Sequence, residues 1–74
     1  MKQYRVRVRK DGEWIYLNPG EGCSRVGLFK EDQQRFLDEE EARSWAKFMA
    51  LDPNADSVEL LVISEEGETT EIYK

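Results

Sequence analysis

The sequence predicts an α+β domain of two layers, in which one helix packs on one face of a mainly antiparallel sheet. Three observations predict this fold class. Residues 4–17 alternate between polar and apolar side chains around a turn signal, residues 38–52 have the spacing of an amphipathic helix, and residues 57–64 are almost continuously apolar. The predicted order is β-β-(β)-α-β-β, in a single domain that covers residues 1–74.

The first two strands are predicted to form a hairpin around Asp11 and Gly12. A type I′ turn requires positive φ at both central residues, and an Asp-Gly pair between alternating runs provides this. We expect strands at about residues 3–9 and 13–17. Arginines on one face of the first strand alternate with Tyr4, Val6 and Val8 on the other. The sequence leaves open which face of the second strand, the one with Trp14 and Tyr16 or the one with Ile15 and Leu17, joins the core.

A loop and a short strand are expected next. Pro19, Gly20 and Gly22 mark the loop, which lacks the Gly-Lys-Ser/Thr ending of a phosphate-binding loop. Residues 25–29 read as a short third strand, and residues 30–36 as a polar connection that closes on Phe36.

The helix is predicted from its cap and its apolar stripe. Asp38 is a good N-cap, with Glu41 three residues later as in a capping box, and Leu37 and Ala42 stand at the positions of a hydrophobic staple. Three consecutive glutamates complement the positive end of the helix dipole. Pro53 ends the helix by residue 52. The apolar stripe consists of Ala42, Trp45, Ala46 and Met49, flanked by Phe48.

The last two strands follow the helix. Residues 57–64 are typical of a central strand that is buried on most of both faces. Residues 65–68 read as a turn, and residues 69–74 as a returning strand.

Charge is distributed unevenly along the chain. The net charge is −5, but residues 1–30 carry seven basic and three acidic side chains, whereas residues 31–74 carry four basic and thirteen acidic ones. The two halves can therefore attract each other within the fold or serve different partners. A lone cysteine without disulfides favours a reducing, cytoplasmic location, and no apolar stretch has the length of a membrane span.

Composition argues against an enzyme. The chain has no histidine and one cysteine, so it has neither a histidine base nor the ligands of a structural zinc site. Cys23, next to Ser24 and Arg25, is expected to be an inert loop thiol, and the paired carboxylates to be a helix cap and a turn. We expect no catalytic residues, no metal and no cofactor.

The arginines near the N-terminus support two hypotheses. Arg5, Arg7 and Arg9 are expected on the open face of the sheet, where Glu13, Glu59 and Glu71 could pair with them. Alternatively, the arginines remain available and bind an anion such as nucleic acid.

Residues 4–48 support the nucleic-acid hypothesis through a resemblance. Three strands followed by the F-x-D-E-E-E-A motif and an aromatic-bearing helix resemble the plant AP2-type DNA-binding domain and the arm-binding domain of tyrosine recombinases. This resemblance implies a sheet that enters the major groove. Its reading residues would be Arg5, Arg7, Arg9 and Trp14.

A larger part of the chain is similar to small uncharacterised proteins of phages and mobile elements, through WIYLN, RFLDEEEARSWA and VELLVI. This resemblance implies a small accessory protein that modulates a larger machine. With the charge pattern, it leads to the main hypothesis of a non-enzymatic binding protein, an acidic inhibitor or modulator of a basic partner that handles nucleic acid. A self-associating homodimer is a third hypothesis. The expected protein-binding residues are Asp38, Glu39, Glu40, Glu41, Glu65, Glu66 and Glu68.

Overall fold

The computed structural model describes residues 2–19, 26–29 and 35–74 and confirms the α+β prediction. Five strands form one antiparallel sheet in the order β3-β2-β1-β4-β5, with one helix across a face. The elements are β1 (Gln3–Lys10), β2 (Glu13–Pro19), β3 (Val26–Phe29), α1 (Glu39–Ala50), β4 (Ser57–Ser64) and β5 (Gly67–Ile72). Cys23, the predicted loop thiol, and residues 30–34 of the predicted polar connection lie outside the described residues.

The β1–β2 turn has the predicted conformation and fixes the face of each neighbouring side chain. Asp11 has φ of 52° and Gly12 has φ of 80°, as a type I′ turn requires. Lys10 therefore pairs with Glu13 across the turn. In this register Leu17 lies opposite Val6 on the helix side, which settles the question that the sequence left open.

The helix begins and ends as predicted. Asp38 is extended, and its carboxylate accepts a hydrogen bond of 3.0 Å from the backbone N–H of Glu40, which satisfies one of the free donors of the first turn. The helix ends at Ala50, before Pro53. The expected staple does not bury Leu37, which is 63% exposed, although Ala42 beneath it is fully buried.

The core lies between α1 and the central strands. Phe36 enters it through a backbone bridge to Tyr4, with N–H to O distances of 2.9 and 2.8 Å in the two directions. This bridge fixes the segment that leads into the helix. The buried core residues are Tyr4, Val6, Val8, Leu17, Phe36, Ala42, Ala46, Met49, Ala55, Val58 and Leu60.

β4 is an interior strand between β1 and β5, as its apolar sequence predicts. Val58 and Leu60 are fully buried on the helix side, and Leu61 is 5% exposed on the opposite face. β5 is an edge strand, and a two-residue turn at Glu65 and Glu66 joins it to β4.

Candidate functional site

The face of the sheet opposite the helix carries all three predicted arginines. Cross-strand partners point to the same face, and the register pairs Arg7 with Tyr16 and Arg9 with Trp14. The face also includes Glu59, which lies opposite Arg7 on β4. We call this surface the arginine face. Its members are Arg5, Arg7, Arg9, Trp14, Tyr16 and Glu59.

Arg7 is the centre of the arginine face and is bound to a carboxylate. Its Nε and Nη2 atoms donate to Oε1 of Glu59 at 2.8 and 2.5 Å, and only 26% of the Arg7 side chain and 17% of the Glu59 side chain are exposed. Burial lowers the pKa of Arg7, but the hydrogen bond to Glu59, the charge of Glu59 and the contact with Tyr16 together outweigh burial and leave this pKa above its usual value. The charge of Arg7 is therefore neutralised within the sheet.

Aromatic rings hold the arginines against the sheet. The guanidinium carbon of Arg7 lies 4.1 Å from the centre of the Trp14 ring, and that of Arg9 lies 5.6 Å from the same ring. Arg5 approaches Tyr16 in the same way, at 5.5 Å. Such cation–π contacts stabilise the extended arginine conformations.

Glu71 does not lie on the arginine face, so this part of the sequence expectation was wrong. Glu71 is opposite Leu60, and its carboxylate therefore points to the helix side. There both of its oxygens accept hydrogen bonds from Arg43, which also donates to Glu39 and to the hydroxyl of Tyr73. Glu13 was also expected on the arginine face, but it pairs with Lys10 on the helix side.

The sequence analysis did not identify Arg43, which lies on α1 and joins the helix to the edge strand β5 through Glu71. The hydrogen bonds that Arg43 donates to Glu71 and Glu39 raise the pKa of Arg43, and the same bond to Glu71 holds the pKa of Glu71 below its usual value. One signal was visible in the sequence, because Glu39 and Arg43 have the i,i+4 spacing of a helical ion pair.

The acidic residues of the helix start and those of the β4–β5 turn lie at the same end of the sheet. Tyr4, which bridges Phe36, is opposite Val62 near the end of β4. At the other end of the helix, Asp52 binds Lys10 at 2.8 Å. The helix therefore starts beside the β4–β5 turn. We call this surface the acidic end, and it consists of Asp38, Glu39, Glu40, Glu41, Glu65, Glu66 and Glu68.

The acidic end wraps around the edge of the domain and does not form a flat patch. Glu68 lies opposite Ile63, on the side of the arginine face, whereas α1 lies on the other side of the sheet. All seven residues are exposed. Glu39 pairs with Arg43, but within the described ranges Glu40, Glu41, Glu66 and Glu68 form no salt bridge. Lys2 lines a shallow cleft with Ser64, Glu65 and Glu66.

The outer surface of α1 exposes large apolar side chains. Phe48 and Leu51 are 61% and 79% exposed. Phe48 meets Trp45 edge to face, with ring centres 5.7 Å apart. An open cleft of about 440 Å³ beside Phe48 is lined by Phe48, Met49 and Leu51 and by the ion pair of Lys10 and Asp52.

The described residues contain no cluster of side chains placed to bind a metal ion. Within ranges 2–19, 26–29 and 35–74, no group of three or more acidic or cysteine side chains is placed to hold a metal ion. No helix in these ranges is long and apolar enough to cross a membrane. Comparisons of the chain with protein-family models, with curated proteins and with solved structures gave no match.

Proposed function

We propose that the protein is a non-enzymatic binding domain that engages a basic protein partner through its acidic end. The observation that supports this proposal is that several basic side chains are paired within the fold, whereas most glutamates of the acidic end are not. Arg7, Lys10 and Arg43 bind carboxylates of the same chain, whereas four glutamates of the acidic end form no salt bridge with the rest of the described structure.

The acidic end is well suited to fast, charge-steered association. Its carboxylates are exposed, so their field extends into solvent and attracts a basic surface over about one Debye length. A basic partner that handles nucleic acid offers such a surface. Binding of this kind weakens as salt increases, and the loss of a peripheral charge slows association more than it speeds dissociation.

A capture experiment with a matched pair of variants tests this proposal. Glu66→Lys reverses one charge in the β4–β5 turn, and Asp56→Lys makes the same change at the opposite end, at another exposed residue. Immobilised wild-type protein should retain a basic protein from a nuclease-treated lysate at low salt, and Asp56→Lys should retain it equally. Glu66→Lys should retain several-fold less. Equal retention by Glu66→Lys and wild type would contradict the proposal.

Nucleic-acid binding through the arginine face is a second candidate function. The observation that favours it is that three arginines and two aromatic rings share one face of the sheet. Arg9 is exposed and offers the most accessible cation of the three. A mobility shift with duplex DNA at low salt that disappears in Arg9→Glu would support this function, and the absence of a shift with wild-type protein would exclude it.

A further inference from the structure

Within the described residues, the outer edge of β5 has no neighbouring strand. β5 is last in the strand order, and its register with β4 pairs Ser64 with Gly67 directly beside the two-residue turn. Such a turn is closed by a hydrogen-bonded pair, and bonded and non-bonded pairs then alternate along the strands. The odd-numbered residues of β5 therefore direct their N–H and C=O groups toward β4. The bond of 2.8 Å from the Tyr73 N–H to the Val58 carbonyl continues this alternation.

Three residues, Glu68, Thr70 and Ile72, direct their backbone N–H and C=O groups away from the sheet. All three are exposed, and no backbone group in ranges 2–19, 26–29 and 35–74 bonds to them from the outer side. The regular edge ends at a bulge, where the N–H groups of Tyr73 and Lys74 share one carbonyl of β4. The strand contains neither lysine nor proline, which commonly block such an edge. This row of groups is therefore a template for one more strand.

The charge along this edge favours a basic strand over a second copy of β5. The strand Gly67–Ile72 contains two glutamates and no basic residue, and the adjoining turn adds two more glutamates. Arg43 neutralises Glu71, whereas Glu68 is exposed and forms no salt bridge within the described residues. Opposite charges on paired strands stabilise the pairing, and like charges destabilise it. A strand that carries lysine or arginine therefore fits this edge, and another β5 does not.

We propose that an extended basic segment of the partner protein adds to β5 as a sixth, antiparallel strand of the sheet. This inference rests on the proposed function and specifies how the basic partner is held. The four strand pairs of the domain are all antiparallel, and the added strand continues that pattern. Backbone hydrogen bonds to Glu68, Thr70 and Ile72 supply affinity, and side chains at alternate positions supply specificity.

The register specifies which side chains the added strand needs. Ile72 is 75% exposed, so an apolar residue opposite it buries apolar surface. Four residues further along the added strand, a basic side chain lies opposite Glu68 on the same side of the sheet. The next basic side chain on that side approaches the β4–β5 turn. The partner segment therefore has the pattern apolar-x-x-x-basic-x-basic.

An acetylated and amidated peptide with this pattern, Val-Thr-Thr-Thr-Lys-Thr-Lys, is the probe for strand addition. Its valine lies opposite Ile72, its middle threonine opposite Thr70 and its first lysine opposite Glu68. The N–H groups of these three β5 residues should exchange with solvent about tenfold more slowly when the peptide saturates the protein, because they gain or lie beside new backbone hydrogen bonds. Those of Thr69 and Glu71 face β4 and should be protected with and without peptide. Amide exchange followed by NMR measures both sets.

Two matched pairs separate backbone pairing from simple attraction of charges. In the peptide, N-methylation of the middle threonine removes an N–H that faces β5, whereas N-methylation of the next threonine removes one that faces away. In the protein, Thr70→Pro removes an outward N–H that β4 does not use, and Thr70→Val keeps it. The first member of each pair should weaken binding about tenfold, and the second should leave it unchanged. Circular dichroism verifies that each protein variant folds.

Three results would overturn strand addition. The first is a peptide that does not bind or that protects amides of β3 instead of β5. The second is equal binding within either matched pair. The third is an apparent mass above 8.7 kDa for the protein alone that returns to 8.7 kDa in Thr70→Pro, which would assign the edge to a second copy of this chain.

The capture experiment keeps this inference distinct from the proposed function. If Thr70→Pro retains the basic lysate protein as wild type does and Glu66→Lys loses it, strand addition is wrong and the acidic end still binds the partner. If Glu66→Lys also retains that protein, the proposed function itself is contradicted. Loss of retention in both variants, with full retention in Thr70→Val, supports both proposals.

Discussion

The Arg7–Glu59 pair stabilises the centre of the arginine face, and Glu59→Gln tests its contribution. The substitution keeps the shape of the side chain but removes the charge that Arg7 contacts at 2.5 and 2.8 Å. A hydrogen bond to a charged group contributes about 1.5–3 kcal/mol, and the remaining exposure of both side chains reduces this value. We expect Glu59→Gln to lower the free energy of unfolding by about 1–2 kcal/mol.

This loss is large enough to measure in a chain of this size. Unfolding entropy scales with length, and for a domain of 74 residues 1 kcal/mol corresponds to about 6 °C in Tm. Urea unfolding followed by fluorescence suits the site, because the Trp14 ring lies 4.1 Å from Arg7. Far-UV circular dichroism provides an independent transition that should coincide with the fluorescence.

A double-mutant cycle isolates the interaction itself. Arg7→Met, Glu59→Gln and the double variant give the coupling energy between the two side chains, and Glu68→Gln is a control at an exposed position of β5. We expect a coupling of about 1 kcal/mol and a Glu68→Gln effect within about 0.5 kcal/mol. A coupling near zero, with Glu59→Gln as stable as wild type, would refute the structural role assigned to this pair.

Three further predictions concern the core, the helix cap and the response to acid. Phe36→Ala should lower the free energy of unfolding by about 3–5 kcal/mol, because Phe36 is 1% exposed. Leu37→Ala, at the exposed neighbouring position, should change the free energy of unfolding by less than about 0.5 kcal/mol. Urea unfolding measures both values. Asp38→Ala removes the acceptor for the Glu40 N–H and should cost about 1 kcal/mol of unfolding free energy, with loss of helical circular dichroism at lower urea concentration. The hydrogen bond from Arg43 lowers the pKa of Glu71, and the hydrogen bond from Lys10 lowers the pKa of Asp52. Each carboxylate therefore stabilises the fold fully at pH values above its unfolded-state pKa, which is 4.5 for Glu71 and 3.8 for Asp52. This stabilisation is lost as the pH falls through the lower pKa of the folded state. Thermal unfolding between pH 7 and 2 should therefore show decreasing Tm in acid, with a shallower decrease in Glu71→Gln; an unchanged slope in that variant would contradict the assignment to Glu71.

Local chemistry made most of the fold predictable. Asp11 and Gly12 identify the first turn, and Asp38 and Pro53 bracket the helix. These signals act over a few residues, so tertiary contacts leave them unchanged. The side-chain faces of β2 were left open by the sequence, because they depend on the turn register; the structure pairs Lys10 with Glu13 and therefore Arg9 with Trp14.

The parity of the β4–β5 turn would have corrected the prediction for Glu71. When a two-residue turn joins two strands, a residue of one strand shares a face with residues of the other strand only if one number is odd and the other is even. Glu59 and Glu71 both have odd numbers, so they must lie on opposite faces of the sheet. The contact of Arg43 with Glu71 was less accessible from the sequence, because it depends on the position of α1 over the sheet. Exposure of Leu37 likewise depends on how the segment after Phe36 approaches the helix.

The central claim is that the acidic end, and not the arginine face, is the surface that binds a partner. Capture of partner proteins at low salt by three proteins tests it most directly: wild type, Glu66→Lys and Arg9→Glu. The account predicts that wild type and Arg9→Glu retain the same basic protein and that Glu66→Lys loses it. Loss of retention in Arg9→Glu, together with full retention in Glu66→Lys, would contradict the account.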